Sequence, residues 1–151
     1  MHTARSPQQH VLLLGTALHE RPAQHDSDKT LQELIDEDPD KWMFDHSDFP
    51  DEGRLVAEGV KNGTVLAISD GSYMPNLSRT HAMAAWILEC QVTKVQCRGV
   101  LQVPGMERDV NAHRAEMLGG LAIRKAISLL ERRWGILQGS VTCGLDCNNV
   151  M

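Results

Sequence analysis

The sequence predicts an α/β protein with a mixed β-sheet, and three observations lead to this fold class. Three β-rich runs, at 64–69, 82–90 and 94–103, follow one another with only short loops between them, as in an antiparallel meander. A long stretch with helical periodicity, 111–134, comes next. A fourth β-rich run, 140–145, follows that helix, and a right-handed crossover would lay it parallel to the first strand.

The first run predicts a central strand of this sheet. It is continuously apolar from Val65 to Ile68, a pattern typical of strands that are covered on both faces. Asp70, Gly71 and Ser72 follow, and this triplet is expected to end the strand. The third run alternates instead, which predicts a strand with one buried face and one face in water. Its two faces are Val95, Cys97, Leu101 and Val103 on one side and Gln96, Arg98 and Gln102 on the other.

The helix at 111–134 carries its own signals. Asp109 or Asn111 is placed to cap its N-terminus, since both side chains accept hydrogen bonds from the first turn. Gly119 and Gly120 lie inside it, where each glycine costs about 1 kcal/mol of helix stability relative to alanine. Such a pair is expected where the helix backbone must come close to a neighbour, here the sheet.

Charge divides the chain into two regions. Between Glu20 and Glu52 there are twelve acidic and three basic residues, whereas from Gly53 onward eleven basic residues face eight acidic ones. We therefore expect residues 1–61 to form an acidic N-terminal extension or linker and residues 62–151 to form the folded domain. A mild positive charge on the domain is compatible with a nucleic-acid partner and does not by itself identify one.

The acidic region has few structural signals. A short helix is predicted around Leu31 to Ile35, and Trp42 and Phe44 are candidates for docking this segment onto the domain. A charge run more often marks a solvated linker, which is the interpretation we favour for 20–62. The apolar run at 11–18 is too short to span a membrane, and we expect a short buried or interfacial segment.

The four cysteines, Cys90, Cys97, Cys143 and Cys147, form no C-x-x-C pair, and no histidine pair completes a zinc site. They are expected to be reduced, buried thiols of an intracellular protein, either cytoplasmic or nuclear.

Three carboxylates are the candidate chemical groups. Asp70 and Asp146 each follow a β-rich run, and Glu116 lies in the second turn of the helix. If the fourth strand lies parallel to the first, both aspartates reach the same edge of the sheet, and the crossover helix can bring Glu116 there. Clustered carboxylates repel one another, and Mg²⁺ or Mn²⁺ would relieve that repulsion. Taken singly, however, such residues are usually turn or surface groups.

The ordered set resembles the type 1 ribonuclease H domain, especially the domains attached to retrotransposon reverse transcriptases. The resemblance covers about residues 62–151, and the three carboxylates lie 46 and 30 residues apart. It rests on Ile68-Ser69-Asp70-Gly71-Ser72, Ala84-Ala85-Trp86-Ile87, Asn111-Ala112-His113-Arg114-Ala115-Glu116 and Leu145-Asp146-Cys147-Asn148.

The resemblance implies a three-layer fold and a metal-dependent endonuclease that cuts the RNA strand of RNA–DNA hybrids. Asp70, Glu116 and Asp146 would be the catalytic residues and the ligands of a two-ion Mg²⁺ or Mn²⁺ site. Residues implied to contact nucleic acid are Gly71, Ser72, Asn111, Arg114 and Asn148. For Asn111, the role of helix N-cap is an equal alternative.

The family continues with further helices, a fifth strand and a late aspartate, and the sequence ends before them. We therefore expect an incomplete domain without the fourth carboxylate, in which the strand at 140–145 is an unpaired edge that favours self-association. Two functions stay open: an RNA-strand endonuclease, and a non-catalytic remnant that binds nucleic acid or a protein.

Overall fold

The computed structural model describes residues 10–14, 28–73, 82–104 and 111–144, with the backbone alone at 10–14, 72–73 and 112. These ranges contain six strands: β1 (His10–Leu14), β2 (Ser47–Asp48), β3 (Val65–Tyr73), β4 (Ala82–Cys90), β5 (Gln96–Gln102) and β6 (Gly139–Cys143). They also contain the helices α1 (Leu31–Glu37), α2 (Arg54–Asn62) and α3 (Ala112–Trp134). Two short 3₁₀ segments, Lys41–Phe44 and Pro50–Gly53, lie between α1 and α2.

All six strands form one mixed sheet in the order β1-β6-β3-β4-β5-β2. Strands β3, β4 and β5 make an antiparallel meander, and β6 lies parallel to β3 after the long helix α3. The outer strands β1 and β2 pair antiparallel with β6 and β5. The predicted α/β class, meander, long helix and parallel fourth strand are therefore confirmed.

The helices of the described ranges lie on one face of this sheet. Helices α2 and α3 contact each other and the strands beneath them, and α1 packs on α3. Burial alternates along β4 and β5, as the pattern of β5 predicts. On the other face Ile68 and Val100 keep 40% and 41% of their surface exposed. The expectation that the first strand is covered on both faces is thus wrong here, and the described residues form two layers rather than three.

The segment before the sheet belongs to the same core. Thr30 and Glu33 form a reciprocal capping box that starts α1, and the predicted short helix is confirmed. Apolar residues of this segment share one buried cluster with the sheet: Leu31, Leu34, Ile35, Met43, Phe44, Val56, Ala57 and Val60. The Phe44 ring meets Trp86 edge-on, with centroids 6.0 Å apart, whereas Trp42 stays 37% exposed. The solvated-linker interpretation is therefore wrong for 28–62.

A second correction concerns the edge of the sheet. The fourth predicted strand corresponds to β6, which is paired on both sides, with β3 and with β1. Its five-residue register with β1 runs from His10 opposite Cys143 to Leu14 opposite Gly139. The expected unpaired edge at 140–145 is wrong for the described part of that strand, because part of the apolar run at 11–18 covers it.

Glu52 joins the two ends of the helical layer. Its carboxylate accepts hydrogen bonds from the Leu31 N–H and from Arg133 Nη2, both at 2.8 Å, and its carbonyl accepts from Trp134 Nε1 at 2.9 Å. The Leu31 N–H and then the Arg133 guanidinium lower the pKa of Glu52. The backbone is left-handed at Asp51 and Glu52, with φ of 52° and 56°. These bonds hold that turn in a conformation that such residues adopt only at a cost.

Candidate metal and nucleic-acid site

Gly71 brings strand β3 into contact with the start of α3. A Cβ atom added at Gly71 would lie 2.6 Å from the Glu116 backbone nitrogen and 2.8 Å from the Ala115 carbonyl carbon. Backbone atoms cannot rotate aside, so glycine is what allows the strand and the helix to come this close. The contact fixes the Glu116 backbone beside the residue that follows Asp70.

Strand β3 continues to Tyr73, so the expected end of the strand at Asp70-Gly71-Ser72 is wrong. Asp70 lies inside β3, opposite Ala85 of β4, and is exposed. Ser69 and Gly71, its neighbours, face α3. Because side chains alternate along a strand, Asp70 is directed toward the other face of the sheet. The backbones near Asp70 and Glu116 are therefore adjacent, while the aspartate side chain starts on the side opposite the helix.

Gly119 provides a second close contact, one turn after Glu116. A Cβ atom added there would lie 3.0 Å from Ser69 Cβ and 3.6 Å from the Ala85 carbonyl oxygen. The predicted approach of the helix backbone to the sheet is confirmed at this glycine. Together with the contact at Gly71, it lays the first turns of α3 flat on β3 and β4, with Glu116 partly exposed beside them.

The N-terminus of α3 is fixed by two hydrogen bonds. The Asn111 side-chain oxygen accepts from the Arg114 N–H at 2.8 Å, so the N-cap alternative for Asn111 is confirmed. Arg114 Nε donates to the Pro104 carbonyl oxygen at 3.0 Å, which ties the helix to the end of the meander. Both residues thus have structural roles, and their contacts with nucleic acid stay predictions.

The parallel register of β3 and β6 bears on the third carboxylate. The last described pair is Ala67 with Cys143, and the Gly144 N–H donates to the Ala67 carbonyl at 2.7 Å. Asp70 lies three residues after Ala67, and Asp146 lies three residues after Cys143. Asp146 itself is outside the described residues.

Two of the residues predicted to contact nucleic acid also lie outside the described part of the structure: Asn148 entirely, and Ser72 in its side chain. The same holds for Cys147, one of the four predicted thiols. The remaining three cysteines, Cys90, Cys97 and Cys143, form no disulfide and are buried, as predicted. Burial raises the pKa of the Cys97 thiol to about 12, so this residue stays protonated.

The acidic segment contains a concave feature that the sequence did not predict. A cavity of about 500 Å³ opens between α1 and the following 3₁₀ turn. Apolar lining comes from Leu31, Ile35, Phe44 and Phe49, and polar lining from Gln32, Asp36, Lys41, Asp45, Ser47 and Glu52. The spacing of Leu31 and Ile35 predicted the helix that forms one wall of the cavity. The opposite wall comes from residues after α1, whose position depends on the tertiary fold.

Within the described ranges, no three His, Cys, Asp or Glu side chains are grouped so as to hold a metal ion. Of the three predicted ligands, Asp70 and Glu116 lie in the described ranges, and carboxylate oxygens are donors of the kind that Mg²⁺ and Mn²⁺ prefer. None of the described helices has the length and apolar character needed to cross a membrane.

Comparison with known proteins gives no family for the chain: no family model, curated protein or solved structure matches it.

Proposed function

We propose that this chain is a metal-dependent endonuclease that hydrolyses the RNA strand of RNA–DNA hybrids, as type 1 ribonuclease H domains do. The observation that carries the proposal is the close contact between Gly71, the residue after Asp70 in β3, and the backbone of Glu116 in α3. A Cβ atom added at Gly71 would lie only 2.6 Å from the Glu116 backbone nitrogen. The strand order supports it, since β6 runs parallel to β3 toward Asp146. The resemblance to reverse-transcriptase-linked domains is the basis for proposing a retroelement origin and an intracellular location.

Asp70, Glu116 and Asp146 would hold the metal in this proposal. Mg²⁺ or Mn²⁺ would supply an activated water and charge stabilisation at the scissile phosphate. The protein's own contribution is positional: the two glycine contacts of α3 fix Glu116, and the β3–β4 ladder fixes Asp70 opposite Ala85. Rigid elements of this kind hold ligands more reproducibly than loops.

Five residues would contact the hybrid, each in a way suited to its type. Gly71 and Ser72 would contact the nucleic acid through the backbone of the strand, Gly71 on the side that does not face α3. Arg114 would offer a guanidinium to a phosphate while its Nε stays on the Pro104 carbonyl. Asn111 and Asn148 would donate amide hydrogens to sugar or phosphate oxygens.

The test is cleavage of a labelled RNA–DNA hybrid in Mg²⁺ or Mn²⁺ by the full chain and by Asp70→Asn and Glu116→Gln. Each substitution is expected to lower the rate at least about 100-fold, because a lost metal ligand removes several kcal/mol of charge stabilisation. Glu58→Gln on the exposed surface of α2 is the matched control and should cleave as the wild type does. Cleavage that survives Asp70→Asn contradicts the assignment.

A specific observation favours the second candidate, a non-catalytic protein that binds nucleic acid or a protein partner through the same fold. Asp70 starts on the face of the sheet that α3 leaves open, so Asp70 and Glu116 do not converge by backbone placement alone. This candidate predicts hybrid binding without metal-dependent cleavage in the same assay. A salt titration of the binding constant would then count the phosphate contacts.

A further inference from the structure

Strand β1 forms one end of the sheet in the described residues. One of its edges is paired with β6, and alternate N–H and C=O groups of the other edge point away from the sheet. Its sequence, His-Val-Leu-Leu-Leu, contains no acidic residue, no lysine or arginine and no proline. Charges, prolines and very short strands are the devices that keep natural sheet edges from pairing with another chain.

The opposite end of the sheet does have such protection. There β2 consists only of Ser47 and Asp48, and Asp48 is exposed. A two-residue strand with an acidic side chain offers little ladder to a partner. The two edge strands of the sheet thus differ in length and in charge: β2 is short and acidic, whereas β1 has five residues and no Asp, Glu, Lys or Arg.

We propose that β1 is an interaction surface for a second copy of this chain, with the two β1 strands pairing antiparallel about a two-fold axis. In such a pair each strand meets its own sequence, so any charge near the centre would face the same charge on the partner. From His10 to Leu14 the strand has no Asp, Glu, Lys or Arg, and its centre at Leu12 is apolar, as a symmetric strand pair requires. The partnership would join two six-stranded sheets into one, and it does not depend on the proposed nuclease function.

The experiment uses the full chain with His10→Cys in a Cys147→Ser background. His10 faces Cys143 in the β1–β6 ladder, and facing residues of an antiparallel pair have the Cα spacing that a disulfide needs. An intrachain disulfide therefore reports that β1 remains in its own sheet. Sedimentation equilibrium of the oxidised protein should show a dimer with a dissociation constant of about 10–1000 μM, since the interface is small.

Leu12→Pro and Leu13→Pro are then compared in the same background. Consecutive residues of β1 point their N–H groups to opposite edges, so one proline removes a bond to β6 and the other removes an outward donor. The variant whose proline removes the outward donor should keep the intrachain disulfide, because its bonds to β6 are intact, and it should lose the dimer. A wild-type chain that stays monomeric over this concentration range overturns the proposal. A dimer that survives both prolines, or a disulfide that links two chains, overturns it as well.

Discussion

Replacement of Gly71 by alanine tests the contact on which the candidate site rests. The new Cβ would lie 2.6 Å from the Glu116 nitrogen and 2.8 Å from both the Ala115 carbonyl carbon and the Ala115 Cβ. Overpacking against such rigid neighbours typically costs about 1–3 kcal/mol. The reduced freedom of the unfolded chain returns about 0.4–1 kcal/mol. We therefore expect Gly71→Ala to lower the free energy of unfolding by about 1.3 kcal/mol, the difference between the midpoints of these two ranges.

Urea unfolding followed by tryptophan fluorescence measures this change, because Trp86 is buried in the same core. At a typical slope of about 1–3 kcal/mol per molar urea, the midpoint should fall by several tenths of a molar or more. Gly144→Ala is the matched control: its Cβ would lie 3.2 Å from Cγ1 of the 40% exposed Ile68, a side chain that can shift, and at an ordinary 3.5 Å from the Ala67 carbonyl oxygen. An unchanged midpoint for Gly71→Ala would refute the close contact between β3 and α3.

A second arm links this contact to the site. Because α3 must move away from β3 to admit the methyl group, hybrid cleavage should fall in Gly71→Ala and stay near the wild-type rate in Gly144→Ala. Ala115→Gly removes one of the clashing atoms, so the double variant should be more stable than the sum of the two single effects predicts. Strict additivity would mean that Gly71 and Ala115 do not touch.

Three further predictions concern contacts that stabilise the fold. Asn111→Ala should lower the free energy of unfolding by about 1 kcal/mol in a denaturant titration, because the α3 cap on the Arg114 N–H is lost. Gly99→Ala should lower it by about 1–3 kcal/mol, because its Cβ would lie 2.6 Å from Nε1 of the buried Trp86 indole; an unchanged unfolding midpoint would contradict that packing. The pKa of Glu52 is lowered in the fold, so its stabilisation is present above about pH 4.5 and is lost as the pH falls through the folded value; Glu52→Gln should flatten this acid-side loss in thermal melts.

Periodicity predicted the second half of the fold because its elements are regular. The run predicted at 82–90 is β4, and the helix predicted at 111–134 differs from α3 only at the capping residue. Alternation along β5 also indicated which side chains are buried. It could not indicate what covers each face, and the continuously apolar start of β3 was therefore assigned two covered faces where the described helices cover one.

The N-terminal half was misjudged because net charge was averaged over a window. In α1 the apolar residues Leu31, Leu34 and Ile35 follow helical spacing, and the charges occupy the exposed positions between them. An amphipathic helix and a solvated acidic linker can have the same net charge. The predicted docking of Phe44 onto the domain is confirmed, whereas its partner Trp86, 42 positions away, could not be predicted from a local pattern.

For the candidate site, the approach of the strand that carries Asp70 to the start of the helix was predictable, whereas the face of the sheet to which Asp70 points was not. Aspartate followed by glycine in β3 and glutamate early in α3 fit a strand–helix corner, and the contact at Gly71 places them there. Strand alternation then directs Asp70 away from the helix, a consequence that depends on which residues of β3 face α3. To hold one metal ion, the side chains of Asp70 and Glu116 would therefore have to extend toward each other from opposite faces of β3. This geometry makes Glu116→Gln and Asp70→Asn informative as a pair: a shared ion couples their effects on metal affinity, and separate surface roles leave them additive.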